Sequence, residues 1–379
     1  MLQEGAARYF EKTYDFKTRL ERARHGGGFS RDTWAEFADM GWLAAAVPEE
    51  CGGLGFGPIE LALLGEEFGR HLVLEPFTAC GVLPAAIVNH VGDARRREGI
   101  LSTIASGESL FAVAHSEPAA RGRVHHVECR AQRLGDGRWR LDGHKSVVVG
   151  ATFADRWLVV ARTAGEAGDA AGVTVFVVPP STDGVVLERC SLVDGTPAAD
   201  LRFENTVVAP DALLGAEGSA VPGLQRAIDE AIVVQCAEAV GSTVDVLALC
   251  SEYLKTRKQF GVPIGSFQAL QHRMADMAIE ASQARASLHR GLQALTGGEE
   301  ASRSVVVSGV KAQVMKSVRF VTQQGIQLHG GYGITEEYRV GHHWRRLLLA
   351  DALFGSGSYH LSRYTEQLQR TVLTNCAAP

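Results

Sequence analysis

The sequence carries no excess of basic charge: 38 Lys and Arg face 43 Asp and Glu, for a net charge of −5. No basic run sits beside aromatics, so a nucleic-acid partner is not expected. No uninterrupted apolar run approaches the ~18 residues that a membrane span needs, and none is expected. The opening stretch MLQEGAARYFEKTYDF has no apolar h-region, so the reading is of no secretory leader. The seven cysteines, Cys51, Cys80, Cys129, Cys190, Cys236, Cys250 and Cys376, form no CxxC pair. An odd, scattered set argues against a disulfide framework and for a reducing, cytoplasmic compartment. Internal repeats and low-complexity tracts are lacking as well.

What is there is apolar and periodic. The chain is 46% hydrophobic, enough for a large core, and its length suggests two or three domains of ~150 residues. Up to about residue 108 the period is helical. One helix is expected to start at Asp32 as N-cap, and others to span Ile59–His71, Val82–Val91 and Arg95–Ser106. Pro48 and the glycines after Cys51 interrupt helix. From about 109 to 215 the period is two: Val127–Leu134, Trp139–Leu141, Trp157–Arg162, Val173–Val178 and Val185–Arg189 read as strands separated by Asp-Gly turns. Such spacing suggests a small barrel or sandwich. Beyond about 220, apolar residues recur every third or fourth position. Three series run Leu224 to Val244, Leu270 to Leu295 and Val307 to Val321, and a last helix is expected from Gly341 to the end. Long amphipathic helices with short connections predict an antiparallel four-helix bundle.

Five segments carry the chemistry. They are PEECGGLGFG from Pro48, FAVAHSEP from Phe111, LRFENTVVAP from Leu201, YLKTRKQFG from Tyr253 with Ser266-Phe267-Gln268, and QLHGGYGIT from Gln327. Taken singly, Gly-Gly after a helix reads as a C-cap and Arg-Lys at a helix end answers the macrodipole. Together, in this order and spacing, they resemble the signatures of the acyl-CoA dehydrogenase family over almost the whole chain. The resemblance implies an α+β, mostly α fold: an N-terminal helical domain (1–108), a middle β-barrel domain (109–215) and a C-terminal four-helix bundle (216–379). It also implies the cofactor FAD.

A pyrophosphate wants backbone N–H groups and a forked cation, which Arg offers better than Lys. By the resemblance, Arg257, Gln259 and Phe260 reach the FAD of a neighbouring subunit, and Gln268 meets its adenosine end. Gln327, Gly330 and Gly331 contact the same dinucleotide; glycine lets backbone approach where a Cβ would collide. Ser116 hydrogen-bonds the flavin ring, and Ser356 and Ser358 complete the cofactor contacts. The implied partners are an acyl-CoA substrate, an electron-transfer flavoprotein as acceptor, and like or related subunits in a homotetramer or heterotetramer. The implied setting is fatty acid or steroid catabolism.

The sequence also departs from the family pattern. The reaction implied needs a base for the proton alpha to the thioester carbonyl. The usual Glu position is Phe354, which takes no proton. The alternative position, on the first bundle helix, is Ala231, with Ile232 where a basic neighbour is frequent. The nearest carboxylate is Glu230, beside Asp229. One residue along a helix rotates a side chain by ~100°, so Glu230 serves as base only on a turned or shifted helix; otherwise it is a solvated or interface charge. Val147 stands where a flavin-packing Trp is usual. Ala119-Ala120-Arg121-Gly122-Arg123 replaces a small-residue run ending in Ser-Asp, which puts the usual CoA contacts in doubt. CAEAVG (236–241) and LFGSGSYHLSRY (353–364) look like the small subunits of two-component enzymes acting on pimeloyl-type dicarboxylyl or steroid side-chain CoA esters. Three readings are open: an acyl-CoA dehydrogenase, alone or within a hetero-oligomer; a non-catalytic, FAD-supporting partner subunit; or the fold reused for flavin oxidation of a non-CoA substrate.

Overall fold

The structure, a computed structural model, describes residues 1–25, 27–297 and 300–377. Six helices come first: α1 (Leu2–Thr13), α2 (Phe16–His25), α3 (Arg31–Asp39), α4 (Pro58–Arg70), α5 (Leu83–Val91) and α6 (Ala94–Ala105). Eight strands come next: β1 (Phe111–Ala114), β2 (Arg130–Arg133), β3 (Trp139–Val149), β4 (Arg156–Arg162), β5 (Val173–Val178), β6 (Val185–Ser191), β7 (Pro197–Val208) and β8 (Leu213–Leu214). Then come α7 (Val221–Thr256), a hairpin of β9 (Lys258–Gln259) and β10 (Val262–Pro263), α8 (Gln268–Thr296), α9 (Glu300–His329), α10 (Val340–Ala352) and α11 (Gly357–Ala377). The chain divides into two compact units: Met1–Glu21, Ala62–Val73 and Ile232–Pro379 form one, and Arg22–Leu61 with Leu74–Ala231 the other.

The second unit is built on one sheet in the order β6-β7-β3-β2-β4-β5-β8, with β1 paired to β4. Its centre is apolar: Leu141, Trp157, Val159, Val175, Phe176 and Leu201 are buried. The pairing of β3 with β7 is broken twice, between Leu141 and Gly143 and between Lys145 and Val148. Such bulges bend a strand and re-aim its side chains. A buried ion pair pins the second one. Lys145 Nζ donates to Glu117 Oε1 at 2.5 Å, and Glu117 also accepts from the backbone N–H of Glu128 and Cys129. Arg162, fully buried, donates instead to backbone carbonyls on two loops: His125 and Val127 on one, Ala164, Ala167, Asp169 and Ala171 on the other.

The first unit is helical. Helix α9 packs along α8 and also meets α10 and α11. A core of Val246, Cys250, Leu254, Met277, Val321 and Leu328 joins α7, α8 and α9. Helices α4 and α7 approach through glycine: a Cβ on Gly69 would lie 1.8 Å from the Glu238 carbonyl oxygen, and one on Gly241 1.9 Å from that of Glu66. By length and composition α7 could cross a membrane, but 83% of its most apolar window is buried within the protein, as in the core helix of a globular fold.

Several elements differ from the sequence reading. The cap of α3 is Ser30, whose side chain accepts from Thr33 N, and Asp32 sits in the first turn. Helix α5 is preceded by a π-helical turn, Phe77–Val82. Strand β3 runs eight residues past Leu141, because the bulges let it continue while its burial pattern loses strict alternation. Strands β1 and β7 escape the periodicity: β1 is buried throughout, and β7 is interrupted by charged residues. The last helix is two, broken over Leu353–Ser356 by Phe354 (φ 60°) and Gly355 (φ 97°). Residues 378–379, where the expected helix would end, lie outside the described residues. Cys51, Cys80, Cys129, Cys190, Cys236 and Cys250 are free thiols; the Cys376 side chain lies outside those described.

Candidate functional site

One concave site lies on the helical unit, at the end of α7 and of α9. Tyr253, Arg257, His329, Gly331 and Tyr332 line a cavity of about 450 Å³. Arg257 directly follows α7, and its N–H bonds the Tyr253 carbonyl at 2.9 Å, so the two stand one helical turn apart on one face. The Tyr253 and Tyr332 rings lie almost parallel, 17° apart, with centroids at 6.3 Å. His329 Nδ1 donates to the Gly325 carbonyl at 2.8 Å, which leaves Nε2 to accept from the Tyr338 hydroxyl at 3.0 Å. Burial holds the His329 imidazole below its ordinary pKa and, as the largest of several causes, lifts the Tyr338 phenol to about 12. The cavity is thus lined by aromatic rings and one guanidinium. Around Gly330 (φ 59°) and Gly331 there is open space where a Cβ would stand, and the Arg257 side chain is exposed.

The neighbouring hairpin carries Gln259 and Phe260 at its tip. Gln259 pairs with Val262. Phe260 has φ 52°, is 91% exposed and meets Phe267 edge-on at 6.1 Å. Gln268 opens α8, and Gln327 is exposed near the end of α9. Ser356 and Ser358 are not in the tyrosine-lined cavity. Both are exposed at the start of α11, where Ser356 Oγ accepts from Tyr359 N, and Ser358 lines a separate groove of about 840 Å³ with residues of α8 and α9.

In the sheet unit, Ser116 is half-buried two residues beyond β1, and its carbonyl accepts from Ser146 N at 3.0 Å. That bond ties Ser116 to the second bulge, whose next residue is Val147. Val147 has φ 52° and is 40% exposed, an uncommon backbone conformation for a β-branched residue. The residue implied to meet the flavin and the residue replacing the usual Trp therefore sit side by side.

Glu230 belongs to the same unit. Its Oε1 accepts from Arg226 Nε at 2.7 Å and from His90 Nε2 at 3.1 Å. Burial pushes its carboxyl upward, but the His90 and Arg226 bonds and charges outweigh this and hold it below the ordinary range. Its side chain is 18% exposed, whereas Asp229, Ala231 and Ile232 are buried. The helix thus turns Glu230, and not position 231, toward the surface. Phe354, at the other position considered for a base, is buried.

A guanidinium, two tyrosine faces and open glycine backbone suit an anionic, ring-bearing dinucleotide, on a chain that runs helices, sheet, then helical bundle. Residues 1–108 match the acyl-CoA dehydrogenase N-terminal domain, 112–206 the middle domain and 224–369 the C-terminal domain. The cyclohex-1-ene-1-carbonyl-CoA dehydrogenase of Geobacter metallireducens is 32% identical over 80% of this chain and 80% of that protein. Acyl-CoA dehydrogenase FadE12 of Mycobacterium tuberculosis is 29% identical over 86% of this chain and 84% of its own. The chain belongs to the acyl-CoA dehydrogenase family. Among solved structures, the Tcur3481-Tcur3483 steroid ACAD variant superposes with a TM-score of 0.87 at 27% identity, covering 98% of both chains. A glutaryl-CoA dehydrogenase of Mycobacterium smegmatis in complex with FADH2 shares the fold at 22% identity, with a TM-score of 0.85 over 97% of this chain and 93% of that one.

Sequence reasoning does not single out Tyr253, His329 or Tyr332 as site residues. The signal is nonetheless present: Tyr253 is four residues before Arg257, and His329 and Tyr332 flank the glycine pair.

Proposed function

We propose that this chain catalyses FAD-dependent α,β-dehydrogenation of an acyl-CoA thioester within a tetramer of like or related chains. The observation that carries the reading is the cavity of Arg257, Tyr253, Tyr332 and open Gly331 backbone. Its chemistry fits the pyrophosphate and a ring of FAD, and it lies at the family's cofactor motifs. FAD, when bound, supplies the hydride acceptor. Arg257 neutralises phosphate charge, and the tyrosines offer stacking faces. Ser116 offers a hydroxyl from the edge of the bulge. Ser356 and Ser358, outside that cavity, offer two more, and Arg257, the Gln259–Phe260 tip and Gln268 serve a neighbouring subunit's cofactor. Glu230 is this chain's own candidate base: both of its bonds go to Oε1, which leaves Oε2 to accept a proton. An electron-transfer flavoprotein is the acceptor, and the compartment is the cytoplasm.

A specific observation favours a second reading, in which a related partner chain supplies the base. Phe354 occupies the usual base position, and Glu230 is already bonded to Arg226 and His90, which lowers its basicity. The two readings separate in one experiment. The FAD-loaded chain is mixed anaerobically with straight, branched, dicarboxylyl and steroid side-chain acyl-CoAs, and flavin absorbance is monitored. Bleaching that Glu230→Gln abolishes without loss of FAD supports the self-sufficient enzyme. No bleaching despite bound FAD, restored by a co-purifying related chain, supports the partner reading.

A further inference from the structure

The turn between α10 and α11 is held by side chains that have no part in the proposed reaction. Lys311, on α9, is fully buried. Its ammonium donates to the Ala350 carbonyl at 2.7 Å, the Leu353 carbonyl at 2.9 Å and the Gln235 side-chain oxygen. His360, on α11 and 1% exposed, donates from Nε2 to the Phe354 carbonyl at 3.0 Å, and its Nδ1 lies 3.1 Å from Ser308 Oγ on α9. Backbone carbonyls at the end of α10 and across the break are therefore bound by two buried side chains from flanking helices.

Between those bonds, Phe354 is held at φ 60°. A bulky residue in the left-handed region is strained, and strain persists only where surrounding contacts over-determine it. Burying an ammonium is costly as well. A glycine at 354 would close the same turn without strain, so turn-making alone does not account for this arrangement. Ser356 and Ser358, both exposed, come directly after the turn.

We propose that Lys311 and His360 are positioning residues of the flavin site, fixing the Leu353–Gly355 turn so that Ser356 and Ser358 are presented to the cofactor. The inference rests on the reading that these two serines meet FAD. Neither Lys311 nor His360 touches the cofactor; they act through the turn.

The test uses the full chain in its native assembly, with FAD affinity and the flavin absorbance band as readouts. Lys311→Met and His360→Leu remove the bonds. His360→Gln keeps a donor for the Phe354 carbonyl. The expected result is a loss of about tenfold or more in FAD affinity, with a shifted flavin band, for Lys311→Met and His360→Leu, and recovery in His360→Gln. If Lys311→Met fails to fold, the His360 pair decides alone. Wild-type affinity and spectrum in a folded His360→Leu would overturn the inference. A Ser356→Ala/Ser358→Ala double variant tests the underlying reading. If it binds FAD normally, that reading falls and takes the inference with it. If it weakens FAD binding while His360→Leu does not, only the positioning role is lost.

Discussion

At the scale of single residues, the buried charges are the most informative. Glu117 and Lys145 are both nearly inaccessible, and Glu117 also satisfies two backbone N–H groups. Removing one partner of such a pair leaves an uncompensated charge. Glu117→Ala is expected to cost on the order of 4 kcal/mol in urea unfolding, whereas replacing the exposed Asp136, which pairs with Arg138, is expected to change little. Lys311 gives a pH signature. Burial lowers its ammonium to about 8 from an ordinary value of 10.5. Its ammonium contacts Gln235 and the Ala350 and Leu353 carbonyls, while Cys236 and Asp351 act on it by charge and it acts likewise on His360. Between those two values the unfolded chain holds more protons than the folded one, so this group's contribution to stability rises with pH through that window. The difference in urea midpoint between wild type and Lys311→Met is expected to grow in favour of wild type from pH 7.5 to 9.5. An unchanged difference would show that the ammonium is not perturbed. His342 and His360 behave analogously lower down: burial is the first cause holding each at about 4, so the stability they contribute when neutral is lost as pH falls from about 6.5 toward 4.

At the scale of elements, helical periodicity is legible in the sequence and its interruptions are less so. The Leu224–Val244 and Leu270–Leu295 series lie in α7 and α8, and the valine series in α9, because an apolar stripe repeating each turn is what a bundle buries. Val173–Val178 is found with the same bounds. The α10–α11 break escapes sequence reading because Phe354 is no signal for a left-handed turn; the bonds that impose it come from Lys311 and His360. The Asp32 cap is off by two residues, since Ser and Asp both cap well and only backbone geometry chooses Ser30. Gly69 and Gly241 illustrate a contact that spacing does not reveal: each faces the other helix's backbone. Gly241→Ala is expected to destabilise the fold by about 2 kcal/mol or more, read as a lowered melting temperature. An unchanged melting temperature would mean the helices separate without cost.

At the scale of the whole molecule, the proposed assembly makes cofactor binding and association one equilibrium. If Arg257 serves a neighbour's FAD, Arg257→Gln is expected to weaken FAD binding by about tenfold while leaving the monomer folded. Dilution of wild type should release FAD and dissociate subunits together, as read by flavin fluorescence and light scattering. A stable monomer that retains FAD tightly would sink that arrangement.

By itself the sequence determined the order of helical, sheet and helical segments, since side-chain periodicity is local and survives without knowledge of partners. It also determined the family, through the glycine pair, Arg257 and the other motifs at their spacing. Only the tertiary structure decided that Glu230 is bonded to His90 and Arg226, that Val147 sits on a bulge tied to Ser116, and that tyrosines line the Arg257 cavity. The reason is physical. A residue's charge state and direction depend on groups distant in sequence: His90 is brought to Glu230, and Ser146 to Ser116, by packing and strand register that no local pattern encodes.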